Sequence, residues 1–202
     1  MIERENMMTE YDNYFLNDPG KWAGEERNQF AEKLTRAHIS YPQRILDVGC
    51  GNGHTLKHFK SVFPEAGLFG LDLSPVACKI ASDNVEGAVI FEGFVEDADF
   101  DVPFDLILCL GVAEHFLDLE NGLKGIQRSL SETGTLYLEV PNCLSYDPGE
   151  EGYRRLSIGS RQMEWHLKRE TWENIIEQSG FKIVEAFKGL RPEWEFVWIL
   201  RK

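Results

Sequence analysis

Asp47, Gly49, Gly51 and Gly53 stand at alternate positions around the end of an apolar run formed by Ile45, Leu46 and Val48. Glycines spaced in this way let the chain turn tightly and approach a bound molecule without Cβ atoms in between. The helix expected from about His54 to Val62 should then present free N–H groups to that molecule. A carboxylate two residues before the first glycine suits a cationic ligand and would repel a pyrophosphate. Asp72 follows about twenty residues after the loop, where α/β nucleotide sites place an acid to take hydrogen bonds from ribose hydroxyls. Further along, Glu114-His115 and His166 supply groups able to move a proton near neutral pH.

The ligand of the loop is decided by detail. A dinucleotide fingerprint requires G-x-G-x-x-G, and His54 stands where its third glycine belongs. The segment Arg44 to Gly53, with its acid, spacing and flanking strand, resembles motif I of the class I S-adenosylmethionine-dependent methyltransferases. The resemblance covers roughly residues 40 to 200. It implies S-adenosyl-L-methionine as cofactor and S-adenosyl-L-homocysteine as product.

On that resemblance the cofactor falls to Asp47, Gly49, Cys50, Gly51, Gly53, Asp72, Leu73, Phe94, Val95, Glu96, Leu110 and Gly111. Asp72 would take both ribose hydroxyls and Leu73 would pack on the adenine face. Relatives with Gly-Asp-Ala after the third strand use that Asp for the adenine amino group. Here Phe94 replaces it, so Val95 N–H and either Glu96 or Asp97 are the candidates for the adenine edge. Glu114-His115 resembles the Glu-His pair of ubiquinone-type O-methyltransferases. Some relatives bind a divalent metal through Glu-x-x-Glu-His, but Gly111 replaces the first Glu, so no metal site is expected. His115 and His166 are the two candidate catalytic bases, each with a capping or orienting role as the alternative.

The elements that must position these groups alternate as a doubly wound sheet requires. Strands are expected at Gly67 to Asp72, Ala88 to Phe91, Phe104 to Leu110 and Thr135 to Val140. Ser74-Pro75 marks a helix start, with Ser as cap and Pro in the first turn. Leu119 to Leu130 and Arg169 to Ser179 read as helices, the second ended by Gly180. Phe181 to Phe187 and Trp194 to Leu200 read as a closing antiparallel pair. The expected fold is therefore Rossmann-like α/β: seven strands, mostly parallel with an antiparallel last strand, and helices on both faces. Residues 1–40 are expected to form a helical cap with Tyr11, Tyr14, Phe15 and Trp22, on a cofactor-binding domain of residues 41–202. Residues 141–166, rich in Pro and Gly, read as a long functional loop that carries Tyr153 and Trp165.

Composition narrows the function. A net charge of −13 argues against nucleic acid, whose binding rests on phosphate neutralisation. The excess is uneven: residues 1–149 carry 25 acids against 11 bases, and residues 150–202 carry 9 against 10. No stretch reaches the roughly 18 apolar residues of a membrane span, and the polar N-terminus is unlike a signal peptide. Cys50, Cys78, Cys109 and Cys143 show no C-x-x-C pairing and read as buried reduced thiols of a cytoplasmic protein. The expectation is an enzyme that methylates a small-molecule acceptor, at oxygen by the Glu-His resemblance. The alternatives are a non-catalytic S-adenosylmethionine-binding regulator or partner protein and a nicotinamide-dependent oxidoreductase. The acceptor and the oligomeric state are not legible in the sequence.

Overall fold

The computed structural model describes residues 2–18, 24–146, 154–156 and 163–202. Its frame is five strands, β1 (Arg44–Val48), β2 (Gly67–Asp72), β3 (Val89–Glu92), β4 (Phe104–Leu110) and β5 (Leu130–Pro141). Helices α1 (Ile2–Asn17) and α2 (Glu25–Arg36) precede them. Helices α3 (His54–Val62), α4 (Pro75–Asn84) and α5 (Leu119–Ser129) connect them, and a short helix α6 (Cys143–Tyr146) follows. Beyond it lie β6 (Arg154–Leu156), β7 (Met163–Trp165), α7 (Arg169–Gln178), β8 (Lys182–Lys188) and β9 (Glu195–Arg201).

The main sheet has seven strands in the order β3-β2-β1-β4-β5-β9-β8. The pairings of β1 to β5 are parallel, and β9 runs antiparallel to both β5 and β8. This is the expected Rossmann-like sheet with one reversed final strand. Its strand order reverses between β1 and β4, the position at which open α/β sheets leave a crevice at their carboxyl edge.

Strand period explains the two cores. Ile45, Leu106, Leu108 and Tyr137 face one side with Leu56 and Phe59 of α3 and Ala81 of α4. Leu46, Ile107, Cys109 and Leu138 face the other with Leu123 and Ile126 of α5 and Trp172 and Ile176 of α7. A strand buried on both faces must be apolar throughout, which is why β4 reads as a continuous hydrophobic run.

Local signals placed the helix ends well. Ser74 caps α4 by accepting from Ala77 N at 3.1 Å, with Pro75 at the first turn. Gly180, at φ 91°, closes α7. There Phe181 N–H reaches Ile176 O at 3.3 Å and Gly180 N–H reaches Glu177 O at 3.0 Å, the paired bonds of a left-handed helix stop. Two departures concern longer-range structure. Strand β5 begins at Leu130, earlier than expected, because the chain leaves α5 directly into pairing with Phe104, and the register shifts before Leu106 meets Thr135. The segment 141–166 contains an antiparallel ribbon, β6 with β7, where a loop was expected. Pairing of three-residue strands leaves too short a pattern to read. The expected contributions of Trp22 and Tyr153 fall outside the described residues.

All four cysteines are buried and unbridged. Among the described residues no helix is long and apolar enough to cross a membrane.

Candidate active site

A cavity of about 440 Å³ lies above the carboxyl ends of β1, β2, β4 and β5, a volume usual for small-molecule sites. Helix α1 contributes Met7, Tyr11 and Phe15 to its wall, and α2 contributes Arg27 and Asn28. Helix α1 is fastened at several points. Arg4 pairs with Asp97 and lies 4.7 Å from the Phe94 ring centroid. Asp12 Oδ1 accepts from Ser74 Oγ at 2.5 Å and from Val76 N at 3.3 Å. The Tyr11 ring meets His115 edge-on at 6.0 Å.

The glycine loop directs its donors inward. Gly49 N and Cys50 N both donate to Leu71 O, at 2.7 and 3.1 Å, and Gly53 N donates to Cys50 O at 2.9 Å. Gly51 N donates to Asp72 Oδ2 at 2.8 Å. The bonds from Gly49, Cys50 and Gly51 hold the loop against β2, and that from Gly53 closes the loop on itself. Gly49 is required by shape: it adopts φ +68°, and a Cβ there would stand 2.4 Å from Val112 Cγ2.

The loop sets two buried carboxylates beside the cavity. Asp47 and Asp72 are 3 % and 7 % exposed. Burial, with Asp72 adding repulsion and Arg27 opposing it, lifts the Asp47 pKa to about 8. Burial also lifts Asp72, to about 6, against the pull of N–H groups from Ser74, Gly51 and Leu73. Asp72 Oδ2 accepts from Gly51 N at 2.8 Å and Oδ1 from Ser74 N at 2.9 Å. A carboxylate oxygen has two lone-pair positions, so each retains capacity for a hydroxyl donor. The donor set therefore fits a ligand carrying positive charge and a diol.

Arg27 and Glu139 join α2 to β5 across the cavity wall, with Nε 2.5 Å from Oε1. Tyr137 O–H donates to the other Glu139 oxygen at 2.8 Å. Burial opposes the Arg27 charge, but the attraction of Glu139 outweighs it and holds the guanidinium above its ordinary pKa. A Cβ at Gly111 would stand 2.5 Å from an Arg27 terminal nitrogen, so this glycine admits the guanidinium.

Past Gly111 the cavity is acidic. Glu114, Glu139, Glu164 and Glu195 all line it and are all at most 5 % exposed. Glu195 accepts from Arg191 Nε at 2.8 Å and from Arg191 N at 2.9 Å. His115 Nδ1 lies 3.0 Å from Met163 O, and its Nε2 lies 3.6 Å from Glu114 Oε1. Burial holds the Glu114 carboxyl well above the usual range, with Glu164 and Glu139 adding to the effect and Arg27 opposing it. Behind this wall Cys143, Glu164 and His166 bring one potential ligand atom each to within 4.8 Å of one another. Cys143 Sγ donates to Glu164 Oε2 at 3.3 Å. Their types suit a transition metal, and the place differs from the Glu-x-x-Glu-His position considered on sequence grounds.

A family model described as a methyltransferase domain matches residues 22–186. The chain belongs to this family, the class I S-adenosylmethionine-dependent methyltransferases. The chain is 28 % identical over 137 residues to a trans-aconitate 2-methyltransferase of Methylobacterium nodulans, covering 68 % of this chain and 53 % of that protein. It is 30 % identical over 199 residues to the erythromycin 3''-O-methyltransferase of Saccharopolyspora erythraea, covering 90 % of this chain and 64 % of that one. It also superposes on the sugar N-methyltransferase KedS8 of Streptoalloteichus sp. ATCC 53650 with a TM-score of 0.74, at 18 % identity and over 94 % and 93 % of the two chains. It spans about half the length of the first two curated relatives, 53 % and 43 %.

Along the cavity the structure gathers Asp47, Gly49, Cys50, Gly51, Asp72, Leu73, Phe94, Val95, Glu96, Leu110, Gly111 and His115. Gly53 lies off the wall: at φ +81°, its Cβ would meet Val85 Cγ2 at 2.8 Å, so it serves the packing of α4 on the loop. His166 also lies off the wall and is 0 % exposed. Glu96 lines the cavity, but its Oε1 accepts from Leu117 N at 2.8 Å and Asp118 N at 3.3 Å, which ties it to the turn before α5. Asp97, the other acid considered for the adenine edge, is paired with Arg4. Sequence reasoning missed Arg27, Glu139 and Glu195. A signal for Glu139 was present: a charged residue near the end of the apolar run Leu136-Tyr137-Leu138 requires a buried partner.

Proposed function

We propose that this chain transfers the methyl group of S-adenosylmethionine to a small-molecule acceptor. The observation that carries the reading is the pair of buried carboxylates Asp47 and Asp72 beside the glycine loop. Asp72 would hold the ribose hydroxyls, and Asp47 would face the positive charge of the amino-acid part. Leu73 and Phe94 would flank the adenine, with Val95 offering its backbone at the edge. Arg27 is suited to the cofactor's carboxylate while it remains anchored by Glu139.

When bound, the cofactor supplies a methyl group already activated on a sulfonium. The chain's own task is to hold donor and acceptor in line and to exclude water, a large entropic contribution. Helix α1, fastened through Arg4 and Asp12, would close the site. The cavity continues past Gly111 to Glu114, Pro141 and Trp194, which supports an enzyme over a non-catalytic binder. Relatives act by name on trans-aconitate, an amino sugar and an erythromycin oxygen position, so they support small acceptors without choosing the atom.

Thermal unfolding with S-adenosylmethionine, S-adenosylhomocysteine and NAD in parallel tests this reading. At about 100 times the dissociation constant a ligand stabilises by about 2.7 kcal/mol, a midpoint rise of about 5–10 °C for a domain of this size. A rise with the S-adenosyl ligands alone is expected. A flat response to them, or a rise with NAD alone, refutes it.

A further inference from the structure

We infer that the far end of the cavity recognises its acceptor through an amine, and that Glu114 receives the proton this nitrogen gives up before methylation. The inference rests on the methyl-transfer reading and replaces the expected oxygen acceptor with nitrogen.

Glu114 is 3 % exposed and lines the cavity, and its Oε2 is buried with no hydrogen-bond partner among the described residues. A buried acceptor left this way is a site waiting for a donor. The donor does not come from its neighbours' cations. Arg27 pairs through Nε with Glu139 and Arg191 pairs with Glu195, and neither donates to this oxygen. His115 offers no donor toward it in the neutral ring. Its Nδ1 faces the carbonyl of Met163, which can only accept, so Nδ1 carries the proton and Nε2 toward Glu114 is a lone pair. The groups acting on Glu114 from the surrounding elements are Tyr11 of α1, Arg27 of α2, Cys109 of β4, Glu139 of β5, Glu164 of β7 and the adjacent His115. Two of these are further carboxyl groups and His115 turns a lone pair this way, against the single cation Arg27. Such a wall disfavours an anionic acceptor, and it suits an ammonium or amine, which brings hydrogen-bond donors.

The same wall makes Glu114 a competent base. An ordinary carboxylate is far too weak to deprotonate an ammonium, and burial narrows that gap by raising the carboxyl's proton affinity. The ammonium passes one proton to the Glu114 carboxylate. The freed nitrogen lone pair then forms the C–N bond as the carbon–sulfur bond of the donor breaks, its electron pair staying on sulfur. The product keeps the positive charge as a methylammonium, and Glu114 returns its proton to solvent.

The test is direct binding without turnover. Protein saturated with S-adenosylhomocysteine is titrated calorimetrically with matched probes: cyclohexylamine against cyclohexanol, and phenethylamine against phenethyl alcohol. The amine of each pair should bind at least tenfold more tightly, and Glu114→Gln should erase that preference while S-adenosylhomocysteine still binds. An advantage under threefold, no binding by either amine, or a preference that survives Glu114→Gln overturns the inference. If Glu114→Gln fails to fold, Glu114→Asp takes its place and should weaken the preference, while the wild-type comparison still decides. Failure of S-adenosylhomocysteine to bind at all refutes the methyl-transfer reading instead.

Discussion

Arg27 of α2 and Glu139 of β5 form an ion pair 112 positions apart in sequence, with Glu139 1 % exposed and Arg27 28 %. Removing Arg27 alone strands a carboxylate in the core. For a fully buried pair such a loss costs about 3–5 kcal/mol. The partial exposure of Arg27 places Arg27→Met nearer about 2–3 kcal/mol. Urea unfolding should show that loss, and the double variant Arg27→Met/Glu139→Gln should recover much of it, because the stranded charge is gone and Tyr137 keeps an acceptor. Equal instability of the single and double variants would contradict a charge-based role.

Asp72→Ala should weaken S-adenosylhomocysteine binding by about tenfold or more, since a hydrogen bond to a charged group contributes roughly 1.5–3 kcal/mol. It should also destabilise the free protein, because Asp72 holds Gly51 N and Ser74 N. Calorimetry and thermal unfolding separate the two effects. Unchanged affinity in the folded variant would remove Asp72 from the ribose role.

Asp47 and Asp72 also set a pH dependence. Their folded pKa values, about 8 and about 6, lie above the ordinary 3.8. The folded state thus holds more protons than the unfolded chain between these limits. Their stabilising effect is complete below about pH 4 and is lost as pH rises through 6 and 8. A cationic ligand reverses the shift, so binding of S-adenosylmethionine near pH 7 should release protons. Calorimetry in buffers of different ionisation enthalpy measures that release directly; proton uptake would count against the assigned charges.

His115 and His166 should part company. His115 lines the acceptor end, so His115→Ala should lower turnover with S-adenosylhomocysteine binding retained. His166 lies off the cavity wall at 0 % exposure, so His166→Ala should chiefly lower stability, by about 1–3 kcal/mol. The reverse pattern would return His166 to the chemistry.

The pair Arg4–Asp97 is half exposed and should contribute less than about 1 kcal/mol to stability. It fastens α1 beside Phe94, however, so Arg4→Ala should speed S-adenosylhomocysteine dissociation more than it lowers the melting temperature. Stopped-flow release kinetics distinguish a closing helix from an inert one, for which the rate would not change.

Much of this protein was legible in the sequence wherever the signal was local. The apolar runs gave the strands, Ser74-Pro75 and Gly180 gave helix ends, and the spacing of Asp47, Gly49 and Asp72 located the cavity's carboxylates. Side-chain period and turn chemistry act within a few residues, so they survive in a one-dimensional reading. Where partners come from distant strands, only the tertiary structure decided. It gave Glu139 to Arg27, tied Glu96 to the turn at Leu117, folded the Gly49 and Cys50 N–H groups onto Leu71, and set Glu114 facing the cavity with an oxygen that has no partner among the described residues. A buried polar group must find a partner or a ligand, and which one it finds depends on strand order and helix placement. The order β2-β1-β4-β5 brings those groups together at one sheet edge, and no short-range pattern encodes that order.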